Sequence, residues 1–216
     1  MKRLILYDLD GTLIDTGEDI LAAVNHMLLE LGHEPLTRKE VDPLVGNGLH
    51  SLIRGCLKIQ EPKSVEKGGK IFRDYYRRHL LDHSRLFPGA LACLDYFKDR
   101  VQGMITNKPD PFAKEMLKAL GVARFFSEVI AGDSEFPPKP DPSSVLAMMK
   151  KFQAPASDAV MIGDSLMDIE AARKAGISAV VMTHGFTDVT ALRGAGPDEI
   201  FEGFDEFLEF AKKNNW

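Results

Sequence analysis

Leu4-Ile5-Leu6-Tyr7-Asp8-Leu9-Asp10-Gly11-Thr12 is the stretch on which the fold turns. Its apolar run has the character of a buried central strand, of the kind that a parallel sheet covers on both faces. The run stops at two carboxylates one residue apart, followed by a glycine. In an open α/β sheet, Asp8 and Asp10 would stand at the C-terminal edge, where such sheets place their ligand sites. Two acids held that close repel each other and are costly to desolvate unless a cation sits between them. Oxygen ligands of this kind suit Mg2+. The plainer alternative is a capped turn before the next helix, because Asp and Gly are ordinary turn formers. The rest of the chain decides between them.

Beyond this strand, Thr16-Gly17-Glu18-Asp19 resembles a capping box. Ile20, Leu21, Val24, Met27, Leu28 and Leu31 recur at helical spacing, and Gly32 is a suitable stop. Residues 36–76 continue as short helical pieces, with breaks expected near Pro35, Pro43, Gly46-Asn47-Gly48 and Gly68-Gly69. Nothing there alternates as a strand does. The pattern changes after Phe87-Pro88-Gly89: strands at Val101–Thr106, Glu128–Ile130, Ala159–Ile162, Ala179–Met182 and Glu199–Phe201 are separated by helical segments. Strands alternating with helices predict βαβ units and a parallel sheet with right-handed crossovers. The expected architecture is therefore α/β, a Rossmann-like parallel sheet core with an inserted all-helical cap. Residues 1–15 and 82–216 are assigned to the core and residues 16–81 to the cap.

Composition narrows the partners. Of 216 residues, 44% are hydrophobic and 27% charged, which is ordinary for a globular chain able to build its own core. A net charge of −5 argues against a nucleic acid polymer as partner, while leaving room for a small anionic substrate at a local positive site. The two cysteines, Cys56 and Cys93, have no metal-ligand spacing and fit a reducing cytosol as small buried hydrophobes. Asp8 and Asp10 break the only N-terminal apolar run, so no signal peptide is expected, and no stretch reaches the length of a membrane span. A cytoplasmic location without membrane attachment is expected; the sequence assigns no oligomeric state.

Three strand ends carry polar residues: Asp8 and Asp10 on the first, Thr106-Asn107 on the second, and Asp164, with Asp168 four residues on, after Ala159–Ile162. Lys139 lies between the last two, in Pro137-Pro138-Lys139-Pro140. Parallel strands bring their C-terminal ends to one crevice, so these groups converge there and the bland turn loses ground. Four ordered segments also carry a family resemblance: Asp8-Leu9-Asp10-Gly11-Thr12-Leu13-Ile14-Asp15-Thr16, Ile105-Thr106-Asn107, Lys139-Pro140-Asp141-Pro142 and Gly163-Asp164-Ser165-Leu166-Met167-Asp168. The chain resembles the haloacid dehalogenase superfamily, in its phosphatase branch. Val45-Gly46-Asn47-Gly48-Leu49 is similar, more narrowly, to a loop of phosphoglycolate phosphatases.

The resemblance implies a mechanism. Asp8 attacks phosphorus and forms an aspartyl-phosphate. Asp10 protonates the leaving alcohol and then activates water. Mg2+ is held by Asp8, the backbone carbonyl of Asp10, and Asp164, and it neutralises charge on the phosphoryl group. Asp168 either joins these ligands or orients Lys139 or a metal-bound water. Lys139 supplies fixed positive charge, and Thr106 and Asn107 offer hydrogen bonds to phosphoryl oxygens. In the cap, Asn47 offers donors and acceptors beside two glycines, and the Arg54 fork suits a substrate carboxylate. Asn47 and Arg54 read equally well as parts of a helix-connecting loop.

The implied substrate is a small phosphorylated metabolite, with phosphoglycolate foremost and pyrophosphate, sugar phosphates and nucleotides as alternatives. A β-phosphoglucomutase-like mutase is the rival within the superfamily. A phospho-accepting signalling domain is the rival outside it, disfavoured by Asp10 and by the cap. The six histidines form no metal set; His184, which follows a strand end, is the one expected nearest the crevice. Arg73, Arg77 and Arg78, with Tyr75 and Tyr76, read as a solvated helix flank.

Overall fold

The computed structural model describes residues 1–216. Strand β1 (Leu4–Tyr7) is followed by a tight turn and by β2 (Ile14–Asp15). A helical insert comes next: α1 (Gly17–Glu30), α2 (Arg38–Val41), α3 (Leu49–Leu57) and α4 (Pro62–Tyr76). The chain returns through β3 (Arg85–Leu86), antiparallel to β2, so two short strands side by side carry the chain into the insert and back. The remaining elements alternate: α5 (Ala90–Tyr96), β4 (Val101–Ile105), α6 (Phe112–Ala119), β5 (Glu128–Ile130), α7 (Ser143–Lys151), β6 (Ala159–Gly163), α8 (Leu166–Ala175), β7 (Ser178–Met182), α9 (Val189–Ala195), β8 (Glu199–Phe201) and α10 (Phe204–Lys213).

The sheet runs β5-β4-β1-β6-β7-β8, every neighbouring pair parallel, with β1 near its middle. All four residues of β1 are buried. Successive side chains of a strand point to opposite faces. Ile5 and Tyr7 accordingly join an apolar cluster that runs on into the insert through Val24, Met27, Ile53 and Phe72, and Leu4 and Leu6 join a separate cluster with Val145 and Ile169 on the other face. The insert thus shares its core with one face of the sheet and is fixed over one end of it.

Two local expectations fail for identifiable reasons. Gly68-Gly69 does not break the chain but lies inside α4. A Cβ on Gly68 would come within 3.0–3.1 Å of Ile53, Leu57 and Met27, so the glycine lets three helices approach closely. Thr16 and Asp19 form no capping box. Asp19 is instead buried and accepts hydrogen bonds from the backbone N–H groups of His83 and Ser84 and from the Ser84 hydroxyl. The carboxylate goes to the returning connection, which it ties to the start of α1.

Candidate active site

The C-terminal ends of β1, β4 and β6 converge at the sheet edge beneath the insert. Asp8 leaves β1 with its N–H bonded to Ile162 of β6. Gly11 turns the chain at φ +80, where a side chain would be strained, and its missing Cβ would lie 2.4 Å from Asp164 Oδ2. Asp164, at the end of β6, accepts at 2.7 Å from the Thr12 hydroxyl and at 2.9 Å from the Phe186 N–H. His184 sits behind this turn, stacked on Phe87 with Nε2 3.0 Å from the Thr12 carbonyl, so it supports the turn without entering the cavity.

Asp8, Asp164 and Asp168 are all buried, and each has a carboxylate oxygen within 4.8 Å of one on the others. Lys139 serves this cluster, donating to Asp168 Oδ1 at 2.6 Å and lying 2.9 Å from Asp8 Oδ1. Burial opposes the Lys139 charge, but Asp168 and Asp8 outweigh it and hold its pKa above the ordinary lysine value. The acids stay underpaired. Burial, with Asp168 and Asp10 nearby, raises the Asp8 carboxyl from 3.8 to about 6 despite Lys139. Burial and the charges of Asp168 and Asp8 push Asp164 well above the carboxylate range, against the Phe186 N–H and the Thr12 hydroxyl. Asp8 Oδ1 lies within ion-pair reach of Lys139, yet no donor is aligned to hydrogen-bond it. Buried acid oxygens with one cation among them suit a divalent ion that prefers hard oxygen donors. Asp168 is already committed on both oxygens, Oδ1 to Lys139 and Oδ2 to the N–H and hydroxyl of Ser165 at the start of α8.

Asp10 points away from this cluster to a cation that the sequence reading did not single out. Lys108 Nζ lies 2.9 and 3.2 Å from the two Asp10 oxygens and 2.7 Å from the Tyr76 hydroxyl. Lys108 follows directly on Thr106-Asn107 at the end of β4, which was the available signal. Tyr76 is only 1% exposed, so it is no part of a solvated helix flank. Its ring packs between Phe72 and Phe112, and burial pushes its phenol up to about 12.

A cavity of about 50 Å³ lies between the insert and the sheet edge, lined by Asp8, Asp10, Thr106 and Lys108 from the sheet side and by Leu49, Leu52, Phe72 and Tyr76 from the insert. Thr106 Oγ1 accepts from the Lys108 N–H, which leaves its hydroxyl proton free to donate. Asn107 limits an expectation to its backbone N–H, which makes no hydrogen bond within the protein. Its Oδ1 accepts from the Lys139 N–H, and its Nδ2 donates to the carbonyls of Lys139 and Gly46. With all its side-chain hydrogen bonds made, it clamps the Lys139 loop and the insert and has no side-chain donor left for a phosphoryl oxygen. Gly46 and Gly48 line the cavity, while Asn47 faces outer clefts. Arg54 is exposed and away from the cavity: α3 turns Leu49 and Leu52 inward, and Arg54, two residues beyond Leu52, falls on the solvent side.

Residues 5–182 match the family model described as haloacid dehalogenase-like hydrolase. A phosphoglycolate phosphatase of Vibrio parahaemolyticus is 32% identical over 96% of this chain and 95% of its own length. One from Neisseria meningitidis is 36% identical over 96% of this chain and 92% of its own. The crystal structure of a predicted phosphoglycolate phosphatase from Haemophilus somnus superposes with a TM-score of 0.92 at 28% identity, covering 97% of this chain and 98% of the other. The chain belongs to the haloacid dehalogenase-like hydrolases, in their phosphatase branch. No helix is long and apolar enough to cross a membrane.

Proposed function

We propose that the protein is a Mg2+-dependent phosphatase of small phosphomonoesters, with phosphoglycolate as its substrate, acting in the cytoplasm. Residues 1–15 and 82–216 form the catalytic core in this reading, and residues 16–81 form a cap that excludes water from the reaction. Asp8 attacks phosphorus, the leaving oxygen departs with the proton of Asp10, and an aspartyl-phosphate remains on Asp8. Asp10, now ionised, takes a proton from the water that cleaves the intermediate. Lys139 holds Asp8 and the phosphoryl oxygens, and the free Thr106 hydroxyl proton is available to the same oxygens. Asp8, Asp164 and the backbone carbonyl of Asp10 would hold Mg2+, which when bound offsets the charge between an anionic nucleophile and an anionic ester. Asp168 acts by orienting Lys139.

The observation that carries the substrate reading is the size of the cavity onto which Asp8 and Asp10 both open. At about 50 Å³, against roughly 10–15 Å³ for one water by the same measure, it accepts only a few heavy atoms. A two-carbon leaving group suits that space, and a larger one would have to extend into the outer cleft bordered by Gly48, Leu49 and Asn107. The names of the relatives agree. The test is phosphate release with Mg2+ and with EDTA, comparing kcat/KM for phosphoglycolate, pyrophosphate, glucose 6-phosphate and a nucleoside monophosphate. The reading requires phosphoglycolate to lead and EDTA to stop turnover. Preference for a sugar phosphate, or dependence on a sugar bisphosphate activator, would instead indicate the mutase.

A further inference from the structure

A phosphate ester can be recognised by its phosphoryl group alone, so the rest of the cavity wall must select what the ester carries. Apart from the two acids Asp8 and Asp10, Lys108 is the only charged side chain among the residues lining that wall. The wall facing it is apolar: Ile20, Leu49, Leu52, Phe72 and Phe112. Lys108 is 7% exposed, and burial there is tolerated because Asp10 stands beside it. Tyr76 adds a second polar atom at the same place. Its hydroxyl accepts from Lys108 and makes no other hydrogen bond within the protein, so its own proton is available to an acceptor in the cavity.

We propose that Lys108, with the Tyr76 hydroxyl, is the receptor for a carboxylate on the leaving group, and so selects short esters that carry a second anion. The proposal rests on the phosphatase reading above and names the residues that would make phosphoglycolate its substrate. Electrostatics supports it. Once Asp10 has given its proton to the leaving oxygen, its carboxylate is ionised beside a product carboxylate one methylene from that oxygen, and two anions so close are costly in a buried site. Lys108 already pairs with Asp10 and stands where it can neutralise both. A neutral leaving group of the same length gains nothing from the cation and leaves the Tyr76 proton unpaired. The pair also joins the two parts of the molecule, since Tyr76 ends α4 in the insert and Lys108 follows β4 in the sheet. An anion bound by both would hold the insert down over the substrate. Arg54, to which the sequence assigned this task, lies outside the cavity.

The test compares two esters of similar length, phosphoglycolate and ethyl phosphate, on the Mg2+-loaded protein and on its Lys108→Met and Tyr76→Phe variants. Any effect of Lys108 on Asp10 is common to both esters, so the ratio of their kcat/KM values isolates recognition of the carboxylate. One charge-assisted hydrogen bond corresponds to roughly 10- to 100-fold. The ratio should fall by about that factor in Lys108→Met, with KM for phosphoglycolate raised. In Tyr76→Phe it should fall by about 3- to 10-fold, as for a neutral hydrogen bond. If Lys108→Met slows both esters equally and keeps the ratio, Lys108 serves Asp10 alone; the inference is then wrong while the phosphatase reading stands. If the unaltered protein shows no preference for phosphoglycolate over ethyl phosphate, the substrate reading fails and takes the inference with it. Should Lys108→Met not fold, as judged by circular dichroism, the ratio in Tyr76→Phe decides, and an unchanged ratio there overturns the proposal.

Discussion

Replacing Asp8 by Asn should remove activity and, without metal, make the protein more stable. The expectation follows from the carboxyl of Asp8, raised from 3.8 to about 6 by burial and by the charges of Asp168 and Asp10, against the lowering effect of Lys139. A group whose folded-state pKa is raised contributes stability that is fully present below its unfolded value and is lost as pH rises through the folded one. For Asp8 that window runs from about pH 4 to about pH 6. Above it, at about 1.36 kcal/mol per pH unit, the ionised carboxylate costs the folded state on the order of 3 kcal/mol. Asparagine keeps the shape and carries no charge at any pH, and its amide can donate to the neighbouring acids.

Thermal unfolding of both proteins in EDTA, at pH 7.5 and again at pH 4, measures this directly. At roughly 2–4 °C per kcal/mol for a chain of this size, Asp8→Asn should melt about 6–12 °C higher at pH 7.5 and show little gain at pH 4. Saturating Mg2+ should then close the gap, because a ligand at 100 times its Kd stabilises by about 2.7 kcal/mol and the variant has lost a charged oxygen that would bind it. A variant that melts at or below the unaltered protein at pH 7.5 in EDTA would refute the claim that these acids are held together against their repulsion. Phosphate release by the same samples should be abolished, and undiminished turnover would remove Asp8 as nucleophile.

Other consequences follow from the same geometry. With Asp10 as the proposed acid, Asp10→Asn should lower kcat roughly 10²–10⁴-fold in the phosphate-release assay. With Asp8 as a proposed Mg2+ ligand, metal and proton compete for it, so the Mg2+ concentration for half-maximal activity should rise as pH falls through about 6, and calorimetry in two buffers should detect proton release on binding. Gly11→Ala puts a Cβ 2.4 Å from Asp164 Oδ2 at a φ of +80, so activation should need roughly 10-fold or more Mg2+. Asp19→Ala strips the acceptor from the His83 and Ser84 N–H groups and should destabilise by about 2–4 kcal/mol, read as a lower melting temperature.

What the sequence reveals divides along a physical line. The sheet and the acids of its edge were legible because each sits on a local signal: an apolar run, then a polar residue at the strand's end. Parallel topology alone brings those ends together, so Asp8, Thr106, Lys139 and Asp164 could be placed at one edge without knowing a single long-range contact. Features that depend on how distant segments meet were not legible. The two-residue strands β2 and β3 are too short for any alternation to register. Asp19 looked like a local cap, but its partners lie more than 60 residues away, at 64 and 65 positions along the chain. Asn107 looked like a phosphate donor until Lys139 and Gly46 took its amide.

Lys108 and Tyr76 are the sharpest case. They are 32 residues apart, one in a helix that seemed solvated and the other beside a motif that drew attention to its neighbours. Neither residue type announces a site, because a lysine in a loop and a tyrosine on an amphipathic helix usually face water. Their meaning arises only when the insert folds over the sheet edge and buries both against Asp10. Chemistry common to phosphate esters can be carried by strand ends of one sheet. Choice among esters is proposed to fall to Lys108 and Tyr76, one from each side of the cavity, and that pair forms only where the insert meets the sheet edge. The part of the site hardest to read from sequence is therefore the part that would set specificity, and the phosphoglycolate to ethyl phosphate ratio in Lys108→Met addresses it directly.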